Sequence, residues 1–394
     1  MKEIVSAWGD NTNGQLSNGT TAGQAETPQQ VKGLEGVRTV EGGSGHVIAI
    51  MEDGSAYGWG RNGFGQIGDC STDQQTEPTR VKLDGIKAVA PGGGHTLYLL
   101  EDGSVWGCGA GFFGMLGPDN MRVHPVPVRI EAPTNIVQLA SGGSHALALL
   151  DDGTVWAWGR DDCGQLADGD QTGKRPGSLV QVHAGREYPI RALPAQVEGI
   201  SEATFVATGG GHSLVVHEDG SLTTWGLNDC GQLGDGATTD RKREYRTPVK
   251  AKVSGVREVA GAYHHTLILL QDGTVRACGI NDRGQCGDGT TIERATPVEV
   301  VGLTDATQVV ATGGGGDDNP GDAGHSLAVR ADGTVWGWGN NDFGELGLGH
   351  TELQTKATQV PGLTGVRQLT VSGEVPGFRE LPGGGSTIAI HAEK

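Results

Sequence analysis

The chain has 394 residues, 70 of them glycine, and a formal net charge of −18. Its length points to two domains or a repeat array, and glycine so far above the usual ~7% demands frequent, regular turns. So acidic a surface disfavours nucleic acid and anionic membrane, which are bound through Lys and Arg, and no apolar run has the length of a membrane span.

The N-terminal "MKEIVSAWGD" has no basic stretch leading into an apolar core, so no secretory signal is read and a cytoplasmic protein is expected. It reads instead as a strand closing on Trp8-Gly9. A three-part pattern then recurs down the chain. "GGSGHVIAIMEDG", "SAYGWG" and "GFGQIGD" come first; "PGGGHTLYLLEDG", "SVWGCG" and "FFGMLG" follow. The third copy is "SGGSHALALLDDG", "TVWAWG", "DCGQLAD", and the fourth "GGGHSLVVHEDG", "SLTTWG", "DCGQLGD". The fifth is "GAYHHTLILLQDG", "TVRACG", "DRGQCGD", and the sixth "DAGHSLAVRADG", "TVWGWG", "DFGELGL". Most copies continue into a strand that starts near a proline, as at Pro78, Pro248 and Pro297.

The alternation after each histidine has the period of a half-buried strand. Asp-Gly between two such runs is a short hairpin signal, because both residues tolerate positive φ. Each copy therefore predicts strand A, a glycine turn, strand B, an Asp-Gly hairpin, strand C, a longer loop and strand D. Four antiparallel strands per ~50 residues make one propeller blade. The Trp/Cys-Gly element occurs seven times, at Gly9, Gly60, Gly109, Gly159, Gly226, Gly279 and Gly339. The seventh histidine-type strand, "GGGSTIAIHAEK", carries Ser386 in the histidine slot and stops where its hairpin belongs. Its missing partner is the N-terminal strand. The expectation is a single all-β domain over 1–394, a seven-bladed propeller whose last blade joins about 366–394 to 1–32 and removes the sheet edges by closure.

This organisation resembles the regulator of chromosome condensation repeat family, in a stand-alone, bacterial-type form. The residues that carry the resemblance are "HALALLDDGTVWAWGRDDCGQL" and its six relatives, which cover essentially the whole chain. The resemblance implies a seven-bladed β-propeller. The family and its relatives include a nucleotide exchange factor, an enzyme inhibitor and adaptor propellers, so fold alone does not give activity.

Residues repeated in every blade serve the blade. His46, His95, His145, His212, His265 and His325 are read as structural groups that hydrogen-bond blade backbone. Trp8, Trp59, Trp158, Trp225 and Trp338 fill inter-blade space, with Cys108 and Cys278 as smaller occupants of the same slot. The six cysteines contain no CxxC pair and are expected to be free thiols.

Function is sought where symmetry breaks. Strands alternate direction, so A–B and C–D loops share one face, and nearly all insertions lie in those loops: Ala311 to Gly324, Thr370 to Gly385, Asp161 to Gln196, Leu227 to Pro248, and "PDNMRVHPVPVRI" from Pro118. The A–B departures fall in consecutive blades: Tyr263 and His264 in blade 5, Asp317, Asp318 and Asp322 in blade 6, and Glu374, Phe378, Arg379 and Glu380 in blade 7. Outer loops add Tyr188, Arg243 and Tyr245 as candidate contacts. No GxSxG, HExxH, P-loop or CxxC motif is present; His264, Tyr263, Asp317 and Glu380 are the acid–base candidates. Asp317, Asp318 and Asp322 are weak metal candidates, lacking EF-hand spacing, and no cofactor is expected. The reading is a monomeric binding scaffold that presents this face to a protein partner. The alternative is an enzyme or small-molecule binder with its site at the channel mouth under the A–B loops of blades 5–7.

Overall fold

The computed structural model describes residues 3–169, 178–183, 185–239, 245–313, 324–373 and 384–393. Seven antiparallel sheets form the ring. Blades 1 to 6 span 37–80, 86–130, 136–196, 203–250, 256–299 and 306–359. Blade 7 has the order Gln24–Gln30, Glu3–Asp10, Ser386–Ala392, Val366–Ser372, so the two ends of the chain share one sheet. Its register sets Gly9 opposite Ser386, as Gly60 lies opposite His46 in blade 1. Among the described residues no helix is long and apolar enough to cross a membrane.

The B–C hairpins follow from the Asp-Gly pairs, but only the glycine takes a left-handed conformation, as at Gly54 (φ 78°). The aspartate instead caps the turn: Asp53 Oδ1 accepts from the Ser55 amide at 2.9 Å and its hydroxyl at 2.6 Å. The same Asx turn recurs at Asp102, Asp152, Asp272 and Asp332. The glycine after each Trp or Cys answers a close approach: a Cβ on Gly60 (φ 93°) would come 2.4 Å from Gly45 O.

No blade has a complete core of its own. One apolar cluster joins Ile388, Ile390 and Val5 of blade 7 to Val40, Val47 and Trp59 of blade 1. Another joins Leu327 and Val335 of blade 6 to Trp8 and Ala389 of blade 7. All five tryptophans named above are fully buried at such seams.

A polar relay runs through the same seams. His212 Nε2 lies 3.0 Å from Thr266 Oγ1 in the next blade, and that hydroxyl donates to Gln232 O at 2.8 Å, back in the first blade. The arrangement recurs as His46–Thr96–Gln66, His145–Ser213–Gln165, His265–Ser326–Gln285 and His325–Thr387–Glu345. A hydroxyl has one proton, already given to the carbonyl, so Nε2 carries the hydrogen and the imidazole is the donor. The repeat pattern predicts that these histidines bond blade backbone; they reach the next blade's hydroxyl instead. Ala146 has no hydroxyl, and His95 bonds Ser141 Oγ at 2.7 Å. The turn carbonyl also receives the next blade's indole: Trp225 on Gln165 O, Trp338 on Gln285 O and Trp8 on Glu345 O, each at 2.8 Å.

Inner strands are sealed by side chains. Gln138 Nε2 donates to Val206 O at 3.0 Å while its Oε1 accepts from Val206 N at 3.1 Å. Gln308 clamps Leu369 and Gln368 clamps Val40 in the same way, and Glu258 accepts from Val309 N.

Three outcomes follow from these seams. Thr266→Val keeps the shape but strands the His212 donor, and should cost about 1–3 kcal/mol in urea unfolding. Burial lowers five of the six repeat histidines from 6.5 to about 3, and His95 to about 4. The unfolded chain then binds protons that the folded one refuses, so stability should fall as pH drops below 6.5 towards 3, as unfolding titrations will show. Glu345 stands where five other blades have Gln15, Gln66, Gln165, Gln232 and Gln285, and burial raises its carboxyl from 4.5 to about 7. For this acid the folded state holds the proton longer, so its contribution declines as pH rises from 4.5 to about 7. Glu345→Gln should therefore be more stable than the parent by about 1–3 kcal/mol above pH 7, and the gap should close towards pH 4.5.

Candidate functional site

The two faces of the ring differ as the loop parity requires. The B–C face carries Asx-capped hairpins. On the A–B/C–D face, turns of neighbouring blades bond around the channel mouth: Ser44 N to Gly92 O, Gly93 N to Gly142 O and Gly210 N to Ala262 O, at 3.0–3.1 Å.

The largest described departure is in blade 3. The repeat pattern predicts a loop from Asp161 to Gln196 in a four-stranded blade. The structure instead folds Ser178–His183 against Arg186–Gln196 and gives this blade a fifth, outermost strand. The alternation in "SLVQVH", a turn with Gly185 at φ 77°, and the β-branched and aromatic "REYPI" explain the hairpin. Arg160, the last residue of strand C, pairs with Ile190. The hairpin therefore extends beyond strand C on the elaborated face.

Its inner side is anchored. Tyr188 and Ile190 are buried against Phe113 of blade 2, with Phe112 and Met121 beside them. The Tyr188 and Phe113 rings meet edge-on at 5.3 Å, and the Arg160 guanidinium lies 4.7 Å from the Tyr188 ring centre and 5.7 Å from that of Phe113. Arg191 Nη2 reaches Asp168 Oδ2 at 3.3 Å, both side chains buried. Tyr188, a candidate contact in sequence, thus serves as a buried anchor. Its opposite side is exposed, with Val180 and Val182 53% and 59% accessible, and Leu179, at the strand edge on the anchored side opposite Ile190, is 47% accessible. Blade 1 continues the aromatic arc, with Arg61 over Phe64 at 5.4 Å and Phe64 edge-on to Phe112 at 6.0 Å. Sequence reasoning missed Arg61, Phe64, Phe112, Phe113 and Arg160. The sequence signal is weak: Phe64 and Phe113 share a turn position with Asn13, Cys163, Cys230, Arg283 and Phe343, and Arg61 and Arg160 share one with Asp10, Ala110, Leu227, Ile280 and Asn340, so only Phe112, where four other blades have aspartate, departs from a pattern.

At the channel mouth, Tyr263 and His264 are brought together and buried, their ring centres 4.6 Å apart. Tyr263 covers Gly210, where a Cβ would meet the ring at 2.4 Å, and lines the top of a central cavity of about 540 Å³. His264 Nε2 lies 3.8 Å from Asp229 Oδ2, a C–D loop carboxylate of blade 4. Asp229 and Asp282 in turn help burial to raise the carboxyl of Glu293. Below the mouth, burial raises Glu41 to about 7, next to Gln368 Nε2 at 3.2 Å. Among the described residues no three His, Cys, Asp or Glu side chains are arranged to hold a metal ion. Asp317, Asp318, Asp322, Glu374, Phe378, Arg379, Glu380 and Arg243 lie outside the described residues. Tyr245 begins the outer strand of blade 4, opposite Gly226.

None of the six cysteines is in a disulfide, and burial pushes the thiols at the tryptophan slot up, Cys278 to about 12 and Cys108 higher, which keeps these two unreactive.

The profile of the RCC1-like domain matches residues 81–372, and that of the regulator of chromosome condensation (RCC1) repeat matches 5–50 and 53–99. The chain is 30% identical over 186 residues to the ultraviolet-B receptor UVR8 of Arabidopsis thaliana, covering 47% of this chain and 40% of that protein. It is 27% identical over 202 residues to the guanine nucleotide exchange factor SRM1 of Saccharomyces cerevisiae, covering 46% and 40%. The secretion-regulating guanine nucleotide exchange factor of Bos taurus is 37% identical over 135 residues, 34% and 27%. The chain thus spans less than half the length of each of these relatives. Two solved structures share the fold: Prp20p of Saccharomyces cerevisiae, with a TM-score of 0.82 at 21% identity over 100% of this chain and 92% of that one, and human WBSCR16, with 0.78 at 22% over 99% of each. With its blades, seams and repeat profile all in agreement, the chain belongs to the RCC1-like domain family.

Proposed function

We propose that this propeller is a protein-docking scaffold whose partner seats on the A–B/C–D face, against the blade 3 hairpin. The observation that carries the reading is the hairpin itself: a two-stranded projection fixed at its base by Tyr188, Phe113 and Arg160, with Val180 and Val182 turned to solvent. Exposed apolar side chains gathered on a rigid support are what an interface requires. The aromatic and arginine residues beside it belong to the types that dominate binding energy.

Relatives support a protein partner. SRM1 and the Bos taurus protein are named guanine nucleotide exchange factors, and the Prp20p structure is described with its binding to Gsp1p and histones. For the present chain, a net charge of −18 favours a partner with a neutral or basic surface. A small ligand in the channel has less support, because Gln138, Gln308, Gln368 and Glu258 already engage neighbouring backbone.

A photo-crosslinking residue placed at Val182, on the hairpin, should capture a protein from extracts of the native cell. The same residue at Gln271, in a B–C turn of blade 5, should not. Identical adducts from both positions, or adducts from Gln271 alone, would remove the face assignment.

A further inference from the structure

The outer strand of a propeller blade is an open sheet edge, and such edges carry devices against unwanted pairing, proline and lysine among them. Here the devices recur. Outer strands contain Pro28 in blade 7, Pro78 in blade 1, Pro125 and Pro127 in blade 2, Pro248 in blade 4 and Pro297 in blade 5; blade 6 has Lys356. Blade 3 has Pro189 and Pro194 in its fourth strand. That strand is not the edge, because Ser178–His183 covers part of it. The new edge, "SLVQVH", has no proline, lysine, arginine or carboxylate.

The register shows which of its backbone groups are open. Pro189 O accepts from Asp161 N at 2.9 Å, on the strand C side. In an antiparallel ladder a residue's C=O and N position point the same way. The Val180–Pro189 pair is therefore a non-hydrogen-bonded pair of the hairpin, and Val180 directs its N–H and C=O outward. Val182, two residues on, does the same. The edge thus offers two outward N–H/C=O sets beneath two exposed valine side chains.

We propose that Ser178–His183 is a strand-addition site, where an extended, β-branched, neutral or basic segment of a partner protein pairs as a sixth strand of blade 3. This deepens the docking reading above and rests on it. Backbone pairing supplies affinity and alternate side chains supply selectivity in this mode. Charge selects the partner over a second copy of this chain: two bodies of −18 repel, and Glu187, opposite Val182 in register and exposed, sets a carboxylate beside the edge.

The test uses a defined probe, the peptide Lys-Lys-Val-Thr-Val-Thr-Val-Lys-Lys, and a version N-methylated at alternate residues so that one edge loses its donors and keeps its side chains. Fluorescence anisotropy should show saturable binding of the first, with the methylated peptide at least about tenfold weaker. Hydrogen exchange should slow at Val180 and Val182. Val180→Pro removes an outward N–H and leaves the hairpin ladder intact, and should weaken binding by a similar factor; Val180→Thr should retain it. Equal binding of both peptides, protection elsewhere, no binding, or sedimentation of the unliganded protein as a dimer that Val180→Lys dissolves would each overturn strand addition. If Val180→Pro still captures the native partner from Val182, the docking face stands and the pairing mode falls.

Discussion

The structure depends on a hydroxyl shared between blades. Thr266 accepts from one blade's imidazole and returns its proton to that blade's turn carbonyl, and four equivalent hydroxyls do the same around the ring. The triplet is buried, so no water substitutes for a missing member, and a half-satisfied network costs more than an apolar one. In five of the seven seams this couples three separated sequence positions: the histidine, the Ser or Thr after the next histidine-slot residue, and the Gly-Gln or Gly-Glu turn. Trp225, Trp338 and Trp8 bind the second lone pair of the same carbonyls, so the apolar and polar halves of a seam require the same register. A blade displaced by one residue loses both.

That constraint decides where function can reside. A position tied into a seam is buried: the histidine ring, which invites a catalytic or metal reading, commits Nε2 to the next blade's hydroxyl and has Nδ1 shut away from solvent. Burial holds these imidazoles neutral well below ordinary pH. The inner strands are partly occupied as well, because Gln138, Gln308 and Gln368 close three of the seven seams around the central cavity against adjacent backbone. What remains available is the loop face, and within its described part the weight falls on blades 1 to 3, where Phe64, Phe112, Phe113, Arg160 and Tyr188 support a projection.

Much of the fold was legible because repetition multiplies a weak signal. One "HALALLDDG" is an ambiguous strand, but six copies in phase with Trp-Gly and Gly-Gln fix strand order, hairpins and blade number. The cut hairpin between "STIAIHAEK" and "KEIVSAWGD" was readable for the same reason. The site was less legible because it lies in what does not repeat. Tyr263 and His264 were found as departures and do meet, yet their burial and the approach of Asp229 depend on the seam between blades 4 and 5. The hairpin of blade 3 reads as a loop in sequence because "SLVQVH" has no counterpart in other blades, and the repeat histidines can be seen in sequence while the anchor of Tyr188 on Phe113 cannot.

The fifth strand also bears on how symmetry is broken. An insertion that remained an irregular loop would leave the outer strand of blade 3 as the edge, protected by Pro189 and Pro194. Folding back as a strand shifts the edge outward by one position, onto a segment that lacks those prolines. Pro189 then acquires a second effect: having no N–H, it fits where the hairpin ladder makes no hydrogen bond, which holds Val180 facing out. A residue of the kind that guards sheet edges thereby sets the register of the strand that covers it, and the unguarded edge beyond is held in one register on a buried anchor, as pairing with a partner strand requires.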